Sequence, residues 1–293
     1  MAATTKAATK NDVKAEDKGK AETAYVRSQL YRLLSLGFYY PREDFIATLT
    51  KGSFVEELRK YFSYLFAKNS EEGTEETNEK MDEAIDNLDK LEDIIKKEFK
   101  EKDLAYLQDK YVRVFSHGVS KEYPQLGTHY GSVHTFQKSN DMGDIAGYYN
   151  AFGLELSEKE RGEGLDHISI MLEFMHVVSY KEGHALENHG QEKADICVNA
   201  QKKFIKTQVG AWAPLFAKLL VKHSKDEFYS KIATLLRLFM EMEAAYLKVK
   251  PRRLKAPQLA DSLDESDRRG GAGMECDMDP IGDSRKLSDS IKT

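Results

Sequence analysis

The chain has 293 residues, enough to bury a substantial core as one large domain or two small ones. Its composition of 41% hydrophobic and 32% charged residues, with a mean hydropathy of -0.59, describes a water-soluble chain and excludes a polytopic membrane protein. The net charge of -5 conceals an asymmetry, because residues 1–20 carry +2 and residues 248–293 carry +1, leaving -8 on residues 21–247. An acidic core of this kind is a poor surface for nucleic-acid phosphates and a good one for a cationic partner.

Residues 1–20 lack the apolar run of a secretion signal and read as a disordered tail. Apolar spacing then becomes helical. A first helix is expected over about 21–36, with Val26, Leu30, Leu33 and Leu34 on one face and Gly37 as its C-cap. Pro41 follows an aromatic corner, Phe38-Tyr39-Tyr40, and a short helix reaches Leu49. Ser53 and Glu56 have the spacing of a capping box ahead of Phe54, Leu58, Phe62, Leu65 and Phe66. Residues 68–80 are polar and acidic and read as a surface loop, after which Met81, Ile85, Leu88, Leu91 and Ile95 restore the helical period.

Another helix is expected from Asp103 to Phe115, followed by an aperiodic stretch over 116–131, a length of loop that usually carries function. Helices resume over 140–152, 165–186, 191–208, 213–222 (with Pro214 in its first turn) and 225–247. Residues 248–293 are rich in Pro, Gly, Ser and mixed charge and read as a disordered tail. The expected architecture is therefore all-α, a single-domain bundle of about nine or ten helices over 21–247. Its two cysteines, Cys197 and Cys276, form no motif, which fits a reducing cytoplasm.

Few residues suggest chemistry. Glu173 and His176 form one ExxH pair, but a carboxylate-bridged di-iron site needs a second and further Glu residues. His117, His129 and His134 crowd the central loop without a compact zinc spacing. Phosphate-loop, dinucleotide and nucleophile-elbow motifs are absent. Asp166 and His167 stand at the start of a strongly apolar helix, where Asp166 is expected to cap and His167 to pack.

Four segments in order resemble the TorD/DmsD/NarJ family of cytoplasmic chaperones that mature molybdenum-cofactor oxidoreductases. They are RSQLYRLLSLGFYYP (27–41); YVRVF (111–115) followed by Pro124 and THYGSV (128–133); GLELSEKERGEGLDHISIMLEFM (153–175); and GAWAPLFAKLL (210–220). Leu165 stands where the family has Pro before Asp-His, and Thr128-His129 stand where prolines precede the Tyr, so the groove loop should be shaped differently. The resemblance implies a TorD-like helical fold, no catalytic residue, no metal and no cofactor. It implies a partner, the unfolded catalytic subunit of a molybdopterin-containing reductase or dehydrogenase, bound through its leader or N-terminal segment, with neither nucleic acid nor membrane insertion involved. By the same resemblance Asp166, His167, Tyr130 and Ser132 line the peptide groove, Asp166 pairing with a leader Arg. Arg27, Tyr31, Tyr111, Phe115, Pro124, Glu173, Trp212 and Phe216 would support it or pack the core. The alternatives are an all-α metal enzyme using Glu173 and His176, and a scaffold acting through its charged tails.

Overall fold

The computed structural model describes residues 10–69, 75–99, 103–116, 120, 122–130, 135–155 and 164–252. These residues form ten α-helices and no strand. In order they are α1 (Lys10–Phe38), α2 (Glu43–Thr50), α3 (Ser53–Asn69), α4 (Glu75–Glu98), α5 (Leu104–Phe115), α6 (Thr135–Ala151), α7 (Ile168–Asn188), α8 (Gln191–Thr207), α9 (Val209–His223) and α10 (Glu227–Tyr246). A single 3-10 turn, Gly127–His129, sits in the central loop. No helix among the described residues is long and apolar enough to cross a membrane.

Helix starts follow local chemistry where a carboxylate is available. Asp103 accepts the Tyr106 N–H and Asp226 the Tyr229 N–H, both at 3.0 Å, so two orphan donors are satisfied at α5 and α10. The expected capping box at Ser53 does not form as such: Ser53 is itself the first residue of α3 and its hydroxyl donates to the Thr48 carbonyl at 3.4 Å. The preceding Gly52 has φ 77 and supplies the turn instead.

Further boundaries differ from the periodicity reading: α6 starts at Thr135 rather than 140, and α9 at Val209 rather than 213, which puts Pro214 inside the helix and not in its first turn. α1 begins at Lys10, so the expected N-terminal tail is helical from that residue; the Lys, Ala and Glu of this stretch are good helix formers even without an apolar face. Residues 1–9 lie outside the described residues. Gly37 is not a cap but lies inside α1, where a Cβ would come within 2.9 Å of Ile232, so glycine there permits close approach of α1 to α10. The acidic loop is shorter than 68–80, since α3 runs to Asn69 and α4 starts at Glu75. Lys80 donates to Glu76 at 2.8 Å, an i,i+4 pair that suits the first turns of α4; residues 70–74 lie outside the described residues.

One apolar cluster draws side chains from all ten helices. α1 packs most extensively along α7, and α10 against α9 and α4. At one end of α1, Phe38 meets Phe115 and Phe216 edge-on at 6.5 and 5.5 Å, while Tyr111 and Tyr229 pack on Phe115 at 4.8 and 5.0 Å. Tyr111, Phe115 and Phe216 are therefore core residues.

Candidate functional site

The central loop is tied to the segment before α7 by a short backbone zipper. Leu126 and His167 form an isolated antiparallel bridge. Around it the Gly127 N–H donates to the Asp166 carbonyl at 3.0 Å and the Ile168 N–H to the Gln125 carbonyl at 2.9 Å. The Asp166 carboxylate closes the arrangement by accepting the Thr128 N–H at 2.8 Å. A proline at 128 would have no N–H to give, so the threonine that departs from the family pattern is what allows this bond.

Asp166 and His167 are each 3% exposed and Tyr130 is 2% exposed. Their roles at the helix start are the reverse of the expected ones: His167 is the N-cap of α7, and Asp166 reaches back to the loop. The His167 Nδ1 accepts the Ser169 N–H at 3.3 Å and lies 2.6 Å from the Ser169 hydroxyl, which places its ring proton on Nε2. Burial pushes the His167 pKa down to about 4. Protonation would also remove the capping acceptor and put a cation at the positive end of the helix.

Tyr130 donates to the Pro124 carbonyl at 2.8 Å and stacks on Trp212 of α9, ring centroids 5.1 Å apart and planes at 23°. Gly127 lies against the indole edge: a Cβ there would be 2.7 Å from Trp212 Nε1. Gln125 bridges the zipper to the core through Tyr111, whose hydroxyl accepts from Gln125 Nε2 at 3.0 Å. The structure thus brings Pro124, Tyr130, Asp166, His167 and Trp212 into one assembly. Ser132, His117 and His134 lie outside the described residues.

Gly127 and Thr128 of the loop and Trp212 line a narrow cleft of about 50 Å³, bounded also by Asp141 and Ile145 of α6, Met171 of α7 and Gln208 at the α8–α9 corner; Asp166, His167 and Tyr130 stand behind this wall and do not line it. Trp212 is buried, and its Nε1–H has no hydrogen-bond partner among the described residues. A buried unsatisfied donor costs about 1–3 kcal/mol, and Gly127 packs over this nitrogen and shuts it off from the cleft. A wider cleft of about 400 Å³ over α9 and α10 shares Ala211 and Arg252 with the first as common walls. Sequence reasoning missed Asp141 and Gln208, which belong to no motif, and Ala211, which lies in the 210–220 segment but has no side-chain group to mark it; only packing brings them to the loop.

Other expected residues lie in separate clusters. The Arg27 guanidinium is fully buried, bidentate on Glu243 at 2.7 and 2.7 Å, and bonded to Glu182 at 2.9 Å and Gln201 at 2.6 Å. Burial opposes its charge, but Glu243 and Glu182 outweigh that and hold its pKa above the ordinary arginine value. Tyr31 adds a bond to Glu243 at 2.8 Å. On α7, the Tyr39 hydroxyl donates to Glu173 at 2.5 Å, while His176 Nδ1 lies 2.7 Å from the Ser28 hydroxyl, so the two halves of the ExxH pair are engaged by different residues of α1 and its end. Among the described residues no group of three or more His, Cys, Asp or Glu side chains is placed to share a metal ion.

Residues 74–218 match the family described as "Nitrate reductase delta subunit". The chain is 28% identical over 96 residues to "Chaperone protein TorD" of Vibrio parahaemolyticus, covering 33% of this chain and 43% of that one. It is 30% identical over 89 residues to "Chaperone protein TorD" of Photobacterium profundum, covering 30% and 40%. The chain belongs to the TorD/DmsD/NarJ chaperone family. Its matches span less than half the length of these curated relatives. The family-matched region contains the whole zipper and Trp212, so the assembly described above belongs to the shared part of the chain.

The Asp166 bond has a direct test. Asp166→Ala leaves the Thr128 N–H without its acceptor and is expected to cost about 1.5–3 kcal/mol, the range for a hydrogen bond to a charged group. Amide exchange at 127 and 128 should accelerate relative to the core helices. Unchanged protection of these two amides would show that the carboxylate does not hold the loop.

Proposed function

We propose that this protein is a chaperone without catalytic activity for a molybdenum-cofactor oxidoreductase. It binds the leader or N-terminal segment of the unfolded catalytic subunit in the cytoplasm and retains it for cofactor insertion, followed by assembly or twin-arginine export. The unit that does this is the helical domain over 21–247, and the tails are extensions of it. The observation that carries the reading is the cleft at the zipper, where the family-matched loop at Gly127 and Thr128 meets Trp212 of α9 and Asp141 of α6. Asp166, His167 and Tyr130 act there as positioning residues, holding the wall that the client touches. Asp141 and the acidic charge of the core suit the basic residues of such a segment.

The chain contains one tryptophan, Trp212, so its intrinsic fluorescence reports on the cleft. After the client subunit has been identified by co-purification from the native host, titration with its N-terminal peptide is expected to shift the emission. A peptide that binds by calorimetry yet leaves Trp212 emission unchanged would place the site elsewhere.

A further inference from the structure

The wider cleft is bordered by the chain's own last described residues, and the way they arrive there is built into the end of α10. Lys248 has left-handed backbone, φ 54, although it is not a glycine. Its N–H donates to the Ala245 carbonyl at 3.0 Å, and the Val249 N–H to the Ala244 carbonyl at 2.9 Å, the paired bonds of a Schellman closure. A left-handed lysine costs about 1 kcal/mol relative to its ordinary conformation, and the return is direction. The chain doubles back across the bundle, and the Arg252 N–H donates to the Lys206 carbonyl at the end of α8, 3.1 Å away.

Pro251 and Arg252 thereby become one lip of the 400 Å³ cleft. Its floor holds the small residues Gly210, Ala211 and Ala244 beside Leu215 and Met240, and its charged lining is Lys218 and Arg252 against the single acid Glu241. Gly210 is held to that size by the α8–α9 corner, because a Cβ would lie 2.2 Å from the Ile205 carbonyl oxygen. Pro214, inside α9 and beyond its first turn, also lacks the N–H that would bond the Gly210 carbonyl. The floor is therefore open to a chain that brings both apolar side chains and backbone donors.

Such a chain begins at the lip. Forty-one residues follow Arg252, and the first of them carry Leu254, Leu259, Ala260 and Leu263, the last three at the one- and four-residue spacing of a helix face laid in a groove. Asp261, Asp264 and Glu265 follow closely, and Lys218 lies on the cleft rim to receive them. Tethering without an intervening linker gives a local concentration in about the millimolar range, so even weak intrinsic affinity fills the cleft.

We infer that residues 253–265 dock in cis into the cleft over α9 and α10. Where the reading of the preceding subsection holds, a client segment in the zipper cleft borders this extension at Ala211 and Arg252, the walls that the two clefts share.

The test uses the full chain with a photo-reactive phenylalanine in place of Leu215 in the cleft lining, Lys218 intact, and no client present. Irradiation is expected to give a monomeric product in which mass spectrometry finds the cross-link within 253–265. Replacing Leu254, Leu259 and Leu263 together by Asp should lower the yield about five-fold, equivalent to roughly 1 kcal/mol of docking. An equal yield from that variant would mean chance encounters of a tether and would overturn the inference. So would cross-links confined to other segments, or products joining isotopically light and heavy copies. Because no client enters the assay, its failure leaves the chaperone reading standing, and failure of peptide binding leaves this result untouched.

Discussion

Replacing Arg27 by alanine is expected to lower the unfolding free energy by about 3–5 kcal/mol, the cost of leaving a buried charge without its partner. Two buried carboxylates, Glu182 and Glu243, face this one guanidinium, and removing it leaves both without a cation. Neutralising one acid should behave differently. Glu182→Gln keeps an oxygen for Arg27 Nη1 and Gln201 Nε2 and removes the excess negative charge, so its cost should stay within about 1 kcal/mol. Urea unfolding of the two variants decides the matter. A loss for Arg27→Ala no larger than that for Glu182→Gln would show that the network is not an electrostatic unit.

Acidification is the second large effect. His167 titrates at about 6.5 in an unfolded chain and at about 4 in the folded protein, where burial keeps it neutral. Above pH 6.5 neither state binds the proton and the stabilisation is fully present. As pH falls from 6.5 towards 4, the unfolded chain takes up a proton that the folded chain refuses, and stability declines by about 3 kcal/mol over that window. His176 is shifted in the same direction, chiefly by burial, with the Ser28 backbone opposing and Arg32 assisting, so it steepens the decline. His167→Asn retains a capping acceptor and abolishes the titration. The difference in stability between pH 7 and pH 4.5 should shrink in this variant by about 2–3 kcal/mol. An identical pH profile for the two proteins would mean that His167 is accessible to protons in the folded state.

Much of the loop assembly was legible as residue types in order, but the contacts of those residues were not. Tyr130, Asp166, His167 and Trp212 could be singled out from motif order, and they do converge. What the motif could not show is that Asp166 is consumed by the Thr128 N–H and that His167 rather than Asp166 caps α7. Both depend on where the loop passes, a long-range fact with no local signature. Arg27 shows the same gap more sharply. On a helix of Leu and Tyr it reads as groove support or core, by packing or by snorkelling, yet its partners lie 155, 174 and 216 residues away on three other helices.

The sequence by itself determined the helices, the absence of strand patterning and the order of the family motifs, because the 3.6-residue apolar period, prolines and capping carboxylates act within a few residues of one another. Tertiary structure alone decided which polar groups are buried, which are paired, and where the cleft opens. A buried glutamate and a solvated one are the same letter, and only the packing of α1, α7, α8 and α10 around Arg27, or of the loop against Trp212, withdraws them from water and gives them partners.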